Sequence, residues 1–262
     1  MEGENGLPKG AHPSFARVIE QKRRVKENLS GIKHKIGIYS AKGGVGKTTI
    51  AINLAYAISS KGLRVGLLDA DIDCPNVTMF LGMGDKMDPH APLHPPVKDG
   101  VAVASTAMLV DEVKKPIIWR GPLISKMVSD FFEHTDWGEI DYLVIDMPPG
   151  TSEVPLTTMQ LLDLDGFILV TTPQKIAGIN SVRSGLMIKR LNAHILGVVE
   201  NMSDGKPSGS TLEAVNSLGT ELLGCIKGDG RFNTSSDSGK VPVLEYKDML
   251  HGFDEIVNHI LT

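Results

Sequence analysis

The chain has 262 residues, 41% hydrophobic and 22% charged, with a formal net charge of −4. That composition suits a folded soluble core, gives no global attraction to nucleic acid, and contains no apolar run near the roughly 20 residues a membrane span needs. Two cysteines, Cys74 and Cys225, make neither a disulfide framework nor a CxxC pair.

The first residues, MEGENGLPKGAHPS (1–14), are polar and rich in Gly and Pro, and a loose tail is expected there. They lack the charged-then-apolar layout of a signal peptide, so a cytoplasmic location is expected. The stretch FARVIEQKRRVKENLSGIKH then sets Phe15, Val18, Ile19, Val25 and Leu29 at helical spacing around a basic cluster, read as a solvated helix face. Residues 1–30 are therefore expected to be a tail and helix, and 31–262 a single domain.

Six apolar runs follow: KIGIYS (35–40), RVGLLDAD (64–71), DYLVIDMPP (141–149), GFILVTTPQ (166–174), HILGVVENMS (194–203) and ELLGCIKGDG (221–230). Continuous rather than alternating runs suit strands covered on both faces. Helical patterns lie between them, among them TTIAINLAYAISSKG, stopped by Gly62, and SVRSGLMIKRLN. This β–α alternation predicts an α/β fold with a doubly wound, mostly parallel sheet and helices on both faces. Nearly every run ends in polar or turn-forming residues. In a parallel sheet those ends share one edge, where ligands bind, which predicts a single site.

The segment AKGGVGKT (41–48) matches G-x-x-x-x-G-K-[ST] with Ala41 in place of the first glycine. It sits between an apolar strand run and a helical pattern, the context a phosphate loop requires. Gly43, Gly44, Val45, Gly46, Lys47, Thr48 and Thr49 are the expected nucleotide-binding set. Backbone amides would turn toward phosphate oxygens, Lys47 would reach the β/γ-phosphates, and the Thr48 hydroxyl would hold Mg²⁺. Asp146 ends the run YLVID at the position of a metal-facing acid. Asp69 and Asp71 are alternate residues at the end of GLLDAD and are expected to point the same way. One would order water at the γ-phosphate and the other would support the metal ligands. Asp73 reads equally as a turn residue.

The early lysine of KGGVGKTT resembles the deviant Walker A ATPases, the class of nitrogenase iron protein, the Min and Par positioning ATPases and the Mrp/Nbp35 iron–sulfur carriers. DADIDCPNVTMFLG (69–82), IIWRGPL (117–123), DWGEIDYLVIDMPPGTSE (136–153), VTTPQKIAGI (170–179), GVVENMS (197–203) and SSDSGKVPV (235–243) resemble the Mrp/Nbp35 branch. The resemblance implies a P-loop NTPase of the MinD-like group: a homodimer with ATP at its interface and slow hydrolysis to ADP and phosphate. It further implies that Lys42 reaches the partner's phosphates, that Asp71 activates water, that Asp146 holds Mg²⁺ through water, and that Asn201 recognises adenine. The absence of N-K-x-D also points to ATP over GTP.

Cluster-carrying members of that branch have a CxxC shortly after the ENMS block. Here no cysteine occurs between that block and Cys225, and clusters generally need four thiolates. An iron–sulfur cofactor and an apo-protein client are thus implied by the resemblance but lack their usual ligands. Cys225 reads as a buried strand cysteine; Cys74, three residues after Asp71, reads as a loop cysteine near the nucleotide. His90 and His94, in the Pro-rich DPHAPLHPP, read as loop residues rather than metal ligands. Two other functions stay open: a Min/Par-like switch binding DNA through Lys22, Arg23, Arg24 and Lys26, or another protein; and a nucleotide-dependent regulator with negligible turnover. Membrane binding is not expected. The C-terminal pattern DMLHGFDEIVNHILT (248–262) is amphipathic but has no Lys or Arg, so it should pack on the domain.

Overall fold

A computed structural model describes residues 13–88, 92–109 and 131–261. The expected tail through residue 12, His90 and the IIWRGPL block lie outside the described residues. Pro13 and Ser14, assigned to the tail from sequence, instead open helix α1 (Pro13–Leu29). That helix buries Val25 and Leu29 in the main core, which the helical spacing anticipates.

All six apolar runs are strands: β1 (His34–Tyr39), β2 (Val65–Asp69), β5 (Tyr142–Asp146), β6 (Gly166–Thr171), β7 (Ile195–Ser203) and β8 (Leu222–Lys227). Two further strands, β3 (Val97–Lys98) and β4 (Val101–Ser105), form a hairpin missed from sequence. The eight-stranded order is β3-β4-β2-β5-β1-β6-β7-β8. β3 runs antiparallel to β4, and the other neighbouring pairs are parallel. β2, β5 and β6 are buried at every position, so both faces of the sheet are covered.

The helices are α2 (Lys47–Ser59), α3 (Val77–Phe80), α4 (Glu153–Leu161), α5 (Lys175–Arg190), α6 (Gly209–Leu218), α7 (Arg231–Asp237), α8 (Pro242–Glu245) and α9 (Lys247–Leu261). α2 is apolar nearly all round and lies in the core, with Ile50, Leu54 and Ile58 fully buried. α9 buries Met249, Phe253, Ile256 and Val257 on one face. Ile256 lies where a side chain at Gly224 of β8 would stand, 3.0 Å from an ideal Cβ. Among the described residues no helix is long and apolar enough to cross a membrane.

β1, β2, β5, β6 and β7 are parallel, so their carboxyl ends share one edge. Ser40, Asp69, Asp146, Thr171 and Asn201 come together along it, as the strand-end pattern predicts.

Candidate functional site

The loop between β1 and α2 is built on glycine. Gly44 and Gly46 have φ of 81° and 83°, the left-handed region that side chains avoid. An ideal Cβ on Gly46 would fall 2.1 Å from the Asn201 Nδ2, so this glycine also admits a neighbouring strand. Nothing lies within 4 Å of a Cβ at Gly43 or Gly44, so their backbone faces open space. No side chain caps the start of α2. Its first amides, carrying the positive end of the helix dipole, therefore remain available to an anion. Val45 is buried, and the Thr49 carbonyl accepts from Asn53 Nδ2 at 2.8 Å.

Lys47 and Thr48 converge on Asp146 at the end of β5. Lys47 Nζ donates to Asp146 Oδ1 at 2.5 Å and Thr48 Oγ1 donates to Oδ2 at 2.7 Å. Lys47 is 7% exposed and Asp146 1%, so this is a buried ion pair in which the hydroxyl completes the carboxylate's bonding. The turn after Asp146 is tied back to the loop: Gly150 donates its amide to the Ser40 carbonyl at 3.1 Å, and the Tyr39 hydroxyl donates to the Gly150 carbonyl. Lys42 is exposed, and its ammonium makes no ion pair among the described residues.

Asp71 lies beyond β2, which ends at Asp69, so the two do not sit as alternate residues of one strand. Asp71 is buried and its Oδ1 accepts from the Cys74 amide at 3.2 Å. Burial pushes its carboxyl up to about 6, against the pull of Lys47. Asp69 is fully buried, and both its oxygens are engaged, by the amides of Asp71 and Val77 and by the Ser105 hydroxyl. Burial, then the charge of Asp146, raises its carboxyl to about 8. Asp73 is exposed.

Asn201 reaches the loop from β7: its Nδ2 donates to the Val45 carbonyl at 2.9 Å. It thereby braces the phosphate loop from the side, a role the sequence did not suggest. Beside it the buried Glu200 accepts from the Ser208 amide at 3.0 Å, joining the end of β7 to the start of α6. Ser105 and Glu200 were both missed, because their partners are set by strand register and loop closure rather than by a local motif.

The cysteines do not gather. Cys74 is exposed in the loop after β2, while Cys225 is half-buried in β8 beside Glu200 and less sequestered than expected. Among the described residues no group of three or more His, Cys, Asp or Glu is disposed to hold a metal ion. His94 stands 3.5 Å from Asp136, away from the strand ends. Three of the four basic residues of the α1 cluster are paired: Arg23 with Glu20 and Glu27, Arg24 with Glu20 and Glu133, Lys26 with Asp163. Such pairing leaves little net positive charge to track a phosphate backbone.

A glycine loop that delivers its lysine and threonine to the acid of the adjacent strand, at the carboxyl edge of a parallel sheet, defines a P-loop NTPase. A family model described as ParA: NUBPL iron-transfer P-loop NTPase matches residues 31–261, and the chain belongs to that family. It is 41% identical to an iron-sulfur cluster carrier protein of Methanocaldococcus jannaschii, over 93% of this chain and 89% of that one. It is 37% identical to one of Aquifex aeolicus, over 87% and 67%. Among solved structures, a nucleotide-binding protein of Archaeoglobus fulgidus in complex with ADP superposes with a TM-score of 0.72, at 31% identity over 84% of this chain and 92% of that one. The cell division ATPase MinD of Pyrococcus furiosus gives 0.68 at 23% identity, over 88% and 99%, a likeness of fold. The Mrp/Nbp35 resemblance drawn from the sequence blocks agrees with the family and with the names of these relatives.

Proposed function

We propose that the chain is a Mg²⁺-dependent ATPase of the iron–sulfur carrier type, a homodimer that closes around ATP and hydrolyses it slowly. The observation that carries this reading is the placement of Lys47 and Thr48 on the two oxygens of Asp146. The residues suit both groups. The open backbone at Gly43 and Gly44 and the uncapped α2 start match phosphate oxygens, and the hydroxyl and carboxylate of Thr48 and Asp146 match a hard cation.

When bound, Mg²⁺ would supply Lewis-acid stabilisation of phosphate charge, held by Thr48 directly and by Asp146 through water. Lys47, released from Asp146, moves its charge onto the phosphates. Asp71, the raised carboxyl beside the loop, orients water and takes its proton. Lys42, which makes no ion pair among the described residues, acts in trans on the other protomer's nucleotide. Asn201 then holds the base edge while it keeps Val45 in place. A cytoplasmic location and an iron–sulfur apo-protein client belong to the same proposal, the client in keeping with the carrier names of the relatives. Cys74 and Cys225 are the only thiols each chain supplies and they stand apart, so a cluster cargo lacks its usual ligands here and enters the proposal through the names of the relatives alone.

The test is phosphate release with and without Mg²⁺, paired with solution mass, for the parent and Asp71→Asn. The parent should hydrolyse slowly. The variant should bind ATP, lose about a hundredfold or more in rate, and persist as an ATP-loaded dimer. Equal rates in the two proteins would remove Asp71 from its role. Anaerobic reconstitution followed by iron and sulfide analysis tests the cargo separately. A protein that returns free of both loses the carrier half and keeps the ATPase half.

A further inference from the structure

Asp69 stands in the site yet touches none of Lys47, Thr48 or the Asp146 carboxylate through a hydrogen bond. Its Oδ1 accepts from the Asp71 amide at 3.2 Å, and its Oδ2 accepts from the Val77 amide and the Ser105 hydroxyl, both at 3.1 Å. One carboxyl group therefore grips both ends of the segment 71–77, which carries Asp71. Within it, Asp71 Oδ1 accepts from the Cys74 amide, so the side chain's own position depends on the segment's shape.

Ser105 completes the grip. It ends β4 and is the register partner of Asp69 across the parallel β2–β4 pair. Both side chains are 0% exposed, so no water competes for these bonds. The Ser105 Oγ also accepts from the Ala107 amide at 3.2 Å. With that lone pair engaged, its single proton is directed at Asp69. A buried carboxyl that accepts three such bonds holds one geometry, because each misalignment leaves a buried donor without a partner.

We propose that Ser105 and Asp69 are a positioning pair that fixes the Asp71-bearing segment for hydrolysis, and that Asp69 does not serve the metal. This rests on the ATPase reading above. The pair acts through Asp71: it touches neither nucleotide nor cation, and it sets where the water-ordering carboxylate stands relative to Lys47 and Thr48. Displacement of a reacting group by about an ångström costs on the order of a hundredfold in rate while binding contacts elsewhere persist.

The experiment compares the full-length parent with Ser105→Ala, Ser105→Thr and Asp71→Asn. Amide hydrogen exchange in the absence of nucleotide is followed over residues 70–77, and Mg·ATP kinetics then give kcat and KM. Ser105→Ala should speed exchange over 70–77 by about tenfold or more while the other strands hold their protection. It should lower kcat by about tenfold or more and leave KM within about twofold. Ser105→Thr keeps the hydroxyl and should restore both. Asp71→Asn should lose rate with exchange unchanged. If Ser105→Ala does not fold, Ser105→Cys, a weaker donor of similar size, carries the same test with the same signs.

Unchanged exchange in Ser105→Ala would overturn the proposal. So would a loss confined to KM, or a rate restored by raising Mg²⁺, which would return Asp69 to the metal. Where the parent hydrolyses no faster than Asp71→Asn, the ATPase reading fails on its own. Exchange over 70–77 still decides whether the pair holds the segment.

Discussion

Lys47, Thr48 and Asp146 were legible in the sequence because a phosphate loop fixes residue type and spacing within a few positions, and a strand-end acid completes it. Asp69 and Ser105 were not, because their meeting depends on β4 lying in register beside β2, which no local spacing encodes. The burial of these acids has a measurable consequence. The Asp69 carboxyl is raised to about 8, first by burial and then by Asp146, and that of Asp71 to about 6, chiefly by burial. A carboxyl raised on folding binds its proton more tightly in the folded state. Its contribution is full below the ordinary 3.8 and is lost as pH climbs through the folded value. Carboxyls held low by arginine, such as Asp141, titrate below this window and oppose the trend only in acid. The nucleotide-free protein should thus lose stability from about pH 5 to about pH 8, with Asp71's share gone before that of Asp69. Urea unfolding across that range should show the fall, and Asp69→Asn should flatten its upper half. Parent stability rising steadily over the same range would contradict it.

At the scale of elements, period and flanking turns located the six apolar strands, because strands covered on both faces must be apolar throughout. The β3–β4 hairpin escaped because its runs are short, two residues in Val97–Lys98 and five in Val101–Ser105. Its signal was nonetheless present in Asp99-Gly100, whose φ angles of 47° and 86° form the tight turn that Asp-Gly favours. Helix α9 shows the opposite case. Its amphipathic pattern alone could have served a membrane or a partner, and the absence of Lys and Arg from residues 248–262 favoured the domain. Met249, Phe253, Ile256 and Val257 are indeed buried, whereas Leu261 is 37% exposed. The face is therefore core, and Phe253, at 0% exposure, is its largest member. Phe253→Ala should cost about 3–5 kcal/mol in urea unfolding, while Leu261→Ala should cost under about 1 kcal/mol. Equal, small losses would mean that α9 is not part of the cooperative unit.

For the whole molecule, the convergence of strand ends was legible because parallel topology leaves no other place for them. The reach of each lysine was not, since only the fold shows which one is already engaged. Lys47 is 7% exposed and paired with Asp146, whereas Lys42 is exposed with no ion pair among the described residues. The two should therefore fail differently. Removing Lys47 strands a buried carboxylate, so Lys47→Ala should lose about 3–5 kcal/mol of folding stability together with ATP binding. Lys42→Ala removes a solvated charge and should change folding stability by less than about 0.5 kcal/mol. If that charge serves a second chain, the variant should still bind ATP as a monomer and fail to gain mass when ATP is added. Urea unfolding, equilibrium ATP binding and sedimentation with and without Mg·ATP separate the three quantities. A Lys42→Ala protein that dimerises with ATP as the parent does would confine both lysines to their own loop and remove the shared interface from the mechanism. A protein that binds ATP alone but no longer pairs would place the partner's phosphates within reach of Lys42, as the doubled lysine of KGGVGKTT implies.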